Sequence, residues 1–119
     1  MRILILDDDM IRHAAFQRAL VGCFVRSVTT VAECIRALED GVWDYLFLDH
    51  DLGGEIYVDS FRKEGGTGYD VAVWLRAHPS SMPGTVIVHS FNSVGAANIK
   101  GVLPTCTVAP GAWKNISVS

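Results

Sequence analysis

The sequence contains few cysteines, and they lie far apart. Cys23, Cys34 and Cys106 are too few and too widely spaced for a disulfide scaffold or for a zinc site. An odd number of thiols favours a reducing compartment. Cys34 and Cys106 fall within apolar patterns, so we expect both to be small residues of the hydrophobic core.

Clusters of basic residues and long apolar runs are also missing. The 10 Lys and Arg residues are scattered along a chain of net charge −3, and this excludes general binding to duplex DNA, because phosphate backbones require clustered positive charge. No apolar stretch approaches the length of a membrane span. Residues 1–6 are far too short for a signal peptide, since Asp7 follows them immediately. We therefore expect a cytoplasmic protein with no membrane partner.

Strand-like and helix-like segments alternate along the whole chain of 119 residues, half of which are apolar. This length and composition are typical of one globular domain. Helical spacing predicts four helices, with Asp9 capping the first and Thr30 opening the second. The pattern predicts an α/β fold with one parallel sheet and helices on both faces. Continuous apolar runs predict its buried strands at residues 2–6, 24–28, 45–48, 85–88 and 105–108.

Polar residues follow the predicted strands at the points where the strands end. The first strand runs into Asp7, Asp8 and Asp9, and the third runs into Asp49. Carboxyl ends of parallel strands meet at one edge of a sheet, so these carboxylates are expected to lie close together and to repel one another. A divalent cation relieves that repulsion, and we predict Mg²⁺, with Mn²⁺ as the alternative, bound by Asp7, Asp8 and Asp49. The competing interpretation is helix capping plus ordinary surface carboxylates.

Histidine and hydroxyl groups stand at the same predicted edge. With Asp49, His50 and His89 are the candidate catalytic residues, as acid and base, and Ser90 and Asn92 are the candidate phosphate ligands. Side chains alternate along a strand, so if Asp49 and Ser90 face a pocket, His50 and His89 turn away from it. A hydrogen-bonded structural histidine is the alternative for both.

These residues resemble the receiver domains of two-component response regulators. The matching pattern is the acidic pair Asp7 and Asp8, the acceptor Asp49 after the third strand and the hydroxyl of Ser90 after the fourth. The resemblance covers residues 1–111 and leaves 112–119 as a C-terminal tail. It implies a flavodoxin-like three-layer sandwich with strand order 2-1-3-4-5, here without the final helix. It also implies Mg²⁺ binding and transfer of a phosphoryl group from a histidine kinase to the aspartate.

Several residues depart from the receiver pattern. Ala109 precedes Pro110 where receivers carry a lysine, and His50 follows the acceptor where a hydrophobic residue is usual. Residues 53–67 form a longer polar stretch than receivers need, which we expect to be a mobile lid. These departures resemble a narrower group, the receiver-like domains proposed to process cyclic phosphates. The motifs that match it lie at residues 7–9, 12–13, 48–52, 67–70, 88–92, 95 and 98–99.

Three functional hypotheses follow from this resemblance. The first is a metal-binding receiver-like domain that binds or processes a cyclic phosphate or nucleotide phosphate ester, with a phosphate-containing small molecule or an RNA end as its partner. As an enzyme, it would be a metal-dependent phosphoesterase. The second is a phosphorelay receiver that a kinase phosphorylates on Asp49. The third is a non-catalytic module that kept the fold and contacts another protein.

Overall fold

The computed structural model describes residues 1–52, 57–58, 62–63 and 66–114 of the chain. The strands are β1 (Arg2–Leu6), β2 (Phe24–Val28), β3 (Tyr45–Leu48), β4 (Tyr57–Val58), β5 (Arg62–Lys63), β6 (Thr85–Val88) and β7 (Thr107–Val108). The α-helices are α1 (Met10–Ala19), α2 (Val31–Asp40), α3 (Gly68–Ala77) and α4 (Ser93–Val102), and single 3₁₀ turns span Pro79–Ser81 and Ala112–Lys114.

Five strands form one parallel sheet in the order β2-β1-β3-β6-β7. Counted along the main sheet, this is the predicted order 2-1-3-4-5, so the predicted flavodoxin-like fold is confirmed. The last strand is shorter than predicted, because the Cys106 N–H donates to the Leu103 carbonyl and the chain joins the sheet only at Thr107. Within the predicted lid, β4 and β5 pair as a small antiparallel sheet, and residues 53–56, 59–61 and 64–65 lie outside the described part of the chain.

The sheet separates two hydrophobic clusters. Ile3, Ile5 and Phe47 pack with Phe16 of α1 on one side, which we call the α1 face. The other side, the α4 face, carries the even-numbered residues of β1 and β3 under α2, α3 and α4. Cys34 and Cys106 are buried in this second cluster, which confirms their prediction as core residues. Alternation along the strands therefore assigns each strand residue to one face.

All four α-helices begin at the carboxyl edge of the sheet with a side-chain cap, which Thr67 supplies to α3. Asp9 Oδ1 accepts the N–H groups of Ile11 and Arg12, and Thr30 caps α2, as predicted for both. Asn92 caps α4. The helix N-termini therefore face the same edge as the acidic residues. Among the described residues, every helix is too short or too polar to cross a bilayer.

Candidate functional site

Asp7, Asp49 and His89 stand side by side where β1, β3 and β6 end. The strands are in register at Leu6, Leu48 and Val88, so the next residue of each strand is aligned with the others. The Asp49 N–H donates to the Leu6 carbonyl at 3.0 Å, and the His89 N–H donates to the Leu48 carbonyl at 3.1 Å. All three continue the odd-numbered strand positions whose side chains lie on the α1 face. One carboxylate oxygen from each aspartate and one ring nitrogen of His89 lie within 4.8 Å of one another.

Asp7 is fully buried, and four donors surround its carboxylate. Oδ1 accepts the Asp9 N–H at 2.8 Å and Arg12 Nη2 at 2.7 Å, and Oδ2 accepts Arg12 Nε at 2.7 Å and His89 Nε2 at 2.8 Å. Burial opposes the charged form, but the bonds from His89, Arg12 and Asp9 together hold the pKa of Asp7 far below its ordinary value. Asp7 is therefore a buried anion whose four acceptor positions are occupied.

His89 is fully buried beneath the carboxyl edge. An ionised carboxylate only accepts hydrogen bonds, so we assign the proton of the Asp7 bond to His89 Nε2. Burial lowers the pKa of His89, and its ring lies edge-on to Phe16 and Trp113. Its Nδ1 has no hydrogen-bond partner among the described residues. A neutral histidine in this position orients Asp7 and is shielded from solvent.

A second buried histidine bonds to the backbone of the same residue. His13 Nε2 lies 2.7 Å from the Asp7 carbonyl oxygen, to which it donates. Asp7 is thus held through its carboxylate by His89 and through its backbone by His13. The sequence motif at residues 12–13 therefore holds Asp7 at two points, since Arg12 bonds to its carboxylate and His13 to its backbone carbonyl.

Arg12 lies at the centre of the acidic cluster. Its guanidinium pairs with both oxygens of Asp7 and lies 3.3 Å from Asp49 Oδ2, 3.4 Å from Asp9 Oδ2 and 3.6 Å from Asp8 Oδ1. The bond to Asp7 raises the pKa of Arg12. Sequence analysis missed this residue as a site residue. Its position in the first turn of α1, three residues after the Asp9 cap, was the available signal.

Asp49 is the carboxylate of the cluster with a near-neutral pKa. Burial, followed by the negative charge of Asp7, raises its pKa to about 7, while the charge of Arg12 acts in the opposite direction. Only 6% of the Asp49 side chain is exposed, whereas 26% of the Arg12 side chain is exposed. The two groups together form a partly open edge at which a cation stands beside a titratable acid.

His50 belongs to the α4 face. Its Nδ1 lies 3.0 Å from Asp51 Oδ1, and Asn92 Nδ2 donates to the same oxygen at 3.1 Å. The ring packs so closely on α4 that a Cβ at Gly95 would collide with it. His50 and His89 therefore point to opposite sides of the sheet.

The predicted phosphate ligands are engaged in local hydrogen bonds. Ser90 is buried, and its Oγ accepts the Asn92 N–H at 3.0 Å, while Asn92 Oδ1 caps α4 by accepting the Gly95 N–H at 2.9 Å. From strand alternation, we predicted that if Asp49 and Ser90 face a common pocket, the side chain of His89 points to the other face of the sheet. In the observed register, Asp49 and His89 are each the first residue after their strand, so their side chains lie on the same face. Ser90 is the second residue after its strand and lies on the other face.

Comparison with known proteins assigns the chain to a family. The family described as "Cyclic-phosphate processing Receiver domain" matches residues 2–105. The chain belongs to this family. A search among curated proteins found no match.

Solved receiver structures share the fold of this receiver domain. A response regulator receiver domain from Methylobacillus flagellatus aligns over 98% of this chain and 88% of its own, with a TM-score of 0.69 and 17% identity. A Thermotoga maritima response regulator, solved with Mg²⁺ and BeF, aligns over 92% and 84%, with a TM-score of 0.68 and 18% identity. A Burkholderia pseudomallei response regulator aligns over 93% of this chain but 60% of its own, with a TM-score of 0.69 and 16% identity. These identities support the fold.

The hydrogen bonds and ion pairs among Asp7, Asp49, His89 and Arg12 determine whether these residues can bind a metal ion. Asp7 and Asp49 approach each other as predicted, and His89 completes a candidate metal-binding group. Both oxygens of Asp7 are nonetheless occupied by protein donors, and His89 Nε2 carries the proton that it donates. A metal ligand needs a free lone pair, so neither the Asp7 carboxylate nor His89 Nε2 fits a cation while Arg12 is in place. Of the other two predicted ligands, Asp8 has 32% of its side chain exposed and Asp49 only 6%.

Proposed function

We propose that this receiver domain binds and processes a cyclic phosphate or nucleotide phosphate ester, with Arg12 and Asp49 meeting the substrate. The observation that carries the proposal is the separation of 3.3 Å between Arg12 Nη2 and Asp49 Oδ2 at the carboxyl edge of the sheet. Ligands of open α/β sheets bind at this edge. The family description, which names cyclic phosphates, supports the same substrate class.

The two groups supply complementary chemistry for a phosphodiester. The guanidinium of Arg12 carries a permanent positive charge and directs N–H groups toward phosphate oxygens. Asp49, with its pKa raised to about 7, is suited to take a proton from an attacking water near neutral pH. The water oxygen then bonds to phosphorus, the ring P–O bond breaks, and the leaving oxygen takes back the proton from Asp49. His50, whose Nδ1 is held by Asp51 on the other face of the sheet, takes no part in this step, and Asp49 alone carries the proton.

A panel of 2′,3′-cyclic nucleotides tests this proposal by calorimetric binding and by ³¹P NMR of the products. Arg12→Gln should weaken binding at least about tenfold, and Asp49→Asn should abolish turnover while leaving most of the binding. The matched controls are Arg36→Gln and Asp40→Asn on the exposed side of α2, which should leave both measurements unchanged. Absence of both binding and turnover across the panel would reject the proposal.

Phosphorylation of Asp49 is the second candidate function. It is favoured by the position of Asp49, directly after β3 of a receiver fold and beside a guanidinium. Incubation with acetyl phosphate and Mg²⁺ should then add one phosphoryl group to the wild-type protein and none to Asp49→Asn, as measured by mass spectrometry. An unmodified wild-type protein that still hydrolyses a cyclic phosphate leaves the first function as the only one supported.

A further inference from the structure

We propose that Arg12 is the resident cation of this site and excludes a divalent metal from Asp7 and Asp49. This inference rests on the proposed function for its consequence on phosphate binding, but its metal-binding part stands independently. The guanidinium reaches the three predicted metal ligands, Asp7, Asp8 and Asp49, and also the helix cap Asp9. It therefore occupies the place where their negative charges converge.

The occupancy of Asp7 is what makes the exclusion strong. A small hard cation requires oxygen ligands at about 2.1 Å in near-octahedral geometry. Each Asp7 oxygen already accepts two protein hydrogen bonds, at distances of 2.7–2.8 Å. A metal at Asp7 has to displace Arg12 or His89, and a metal at Asp49 meets the positive charge of Arg12 only 3.3 Å from the carboxylate.

Arg12 is held in this position from two sides. On one side Asp7 is itself fixed by the Asp9 N–H and by His89, which leaves its carboxylate aligned with the planar fork of the guanidinium. On the other side the guanidinium carbon lies 5.2 Å from the centre of the Trp113 ring, a cation–π contact. The turn at Ala112–Lys114 thus covers the same cation that Asp7 anchors.

The arrangement gives the site a positive charge without the lysine that receivers carry before Pro110. Ala109 stands at that position, directly after β7 at the edge of the sheet. Arg12 instead comes from α1 and contacts Asp49 directly. Phosphate esters should then bind without added metal, and removal of Arg12 should turn the acidic cluster into a metal site.

Titration with Mn²⁺, followed by electron paramagnetic resonance, tests the exclusion directly. We expect the wild-type protein to bind Mn²⁺ weakly and Arg12→Gln to bind it at least about tenfold more tightly, because four carboxylates lose their internal cation. Arg36→Gln serves as the matched control and should behave like the wild type. In the Arg12→Gln background, Asp49→Asn should remove the gain. Equal Mn²⁺ affinity in the wild type and Arg12→Gln would overturn the inference.

Arg12→Lys keeps the test decisive where Arg12→Gln does not fold. Lysine retains the positive charge but lacks the planar guanidinium that bonds to both oxygens of a carboxylate. We therefore expect Mn²⁺ binding to remain as weak as in the wild type. Circular dichroism establishes that each variant is folded. Tight Mn²⁺ binding by folded wild-type protein, or by Arg12→Lys, contradicts the inference.

The phosphate part is measured with a 2′,3′-cyclic nucleotide in the presence of either EDTA or Mg²⁺. Wild-type affinity should be the same in both buffers within about twofold, whereas any binding that Arg12→Gln retains should require Mg²⁺. Loss of wild-type binding in EDTA would overturn the inference. Absence of binding in both buffers would instead reject the proposed function, while the Mn²⁺ comparison would still decide whether Arg12 excludes the metal.

Discussion

The two faces of the sheet treat polar residues differently at the same carboxyl edge. On the α1 face, Asp7 and His89 are fully buried, and Asp7 pairs with both His89 and Arg12, so charge is compensated within the protein. On the α4 face, Asp51 is about half exposed, and it bonds to His50 and Asn92 near the surface.

The difference shows where charge is energetically critical. A buried ionised group needs a charged or hydrogen-bonded partner, because it has lost the favourable free energy of hydration. A half-exposed group can replace a lost protein hydrogen bond with one to water, so the net change in stability is small. The α1 face is therefore expected to determine stability and its pH dependence. The α4 face is expected to make smaller, local contributions.

Asp7→Ala should cause the largest loss, because it leaves His89 Nε2 and the guanidinium of Arg12 without their buried partner. Breaking such a pair costs about 3–5 kcal/mol of the free energy of unfolding. Urea denaturation at neutral pH measures it. Asp40→Ala, at the exposed end of α2, should change the value by less than about 0.5 kcal/mol. Similar effects of the two substitutions would show that the charge network is not important for stability.

Asp49→Asn should have the opposite sign and depend on pH. Because folding raises the pKa of Asp49 from 3.8 to about 7, the folded state binds the proton more tightly than the unfolded state does. Its stabilising effect is complete below the unfolded pKa and is lost as pH rises toward about 7. Asn cannot ionise, so the variant should be about 2–4 kcal/mol more stable than the wild type at about pH 8 and equally stable below about pH 3. A pH-independent difference in urea unfolding would contradict the raised pKa.

The ionisation of Asp7 provides an internal reference for the pH dependence of urea unfolding. Its folded pKa is depressed, so its contribution to stability is present above about pH 4 and is lost as the pH falls through the folded value. The two carboxylates of one cluster thus act in opposite directions along the pH axis. Asp49→Asn should leave the acid side of the wild-type profile in place.

Gly95→Ala tests the close packing on the α4 face. A methyl group there collides with the His50 ring, which has to move away, and we expect a net loss of about 1–2 kcal/mol with a displaced His50 signal in NMR spectra. Gly101→Ala is the matched control in the same helix. Its Cβ meets no atom within 4 Å, so the better helix propensity of alanine should stabilise the protein by up to about 1 kcal/mol. Identical effects at both positions would exclude tight contact with His50.

Asn92→Ala should have the smallest effect. It removes the cap that accepts the Gly95 N–H and the donor that bonds to Asp51, at a cost of about 1 kcal/mol. Asn98→Ala, on the exposed side of the same helix, controls for the change of residue type and should cost nothing measurable. A loss at Asn92 as large as that of Asp7→Ala would remove the distinction between the two faces.

Much of the fold follows from local pattern. The apolar runs that end in Asp7 and Asp49 placed β1 and β3 correctly, and their parallel pairing explains why those carboxylates meet. The alignment of His89 with Asp49 was also accessible from strand parity, once both are counted as the first residue after their strands. The role of Arg12 could not be predicted from the sequence, because the motif at residues 12–13 does not reveal which carboxylates a long, flexible side chain will reach.

The sequence by itself determined the order of strands and helices, the acidic edge and the family resemblance, because hydrophobic periodicity and strand-end residues are local properties of the chain. Only the tertiary structure decided that His89 is a buried donor to Asp7, that His50 belongs to the opposite face and that Arg12 occupies the centre of the cluster. Each of these depends on register and burial across the sheet, since it is the folded environment that sets which polar groups become partners.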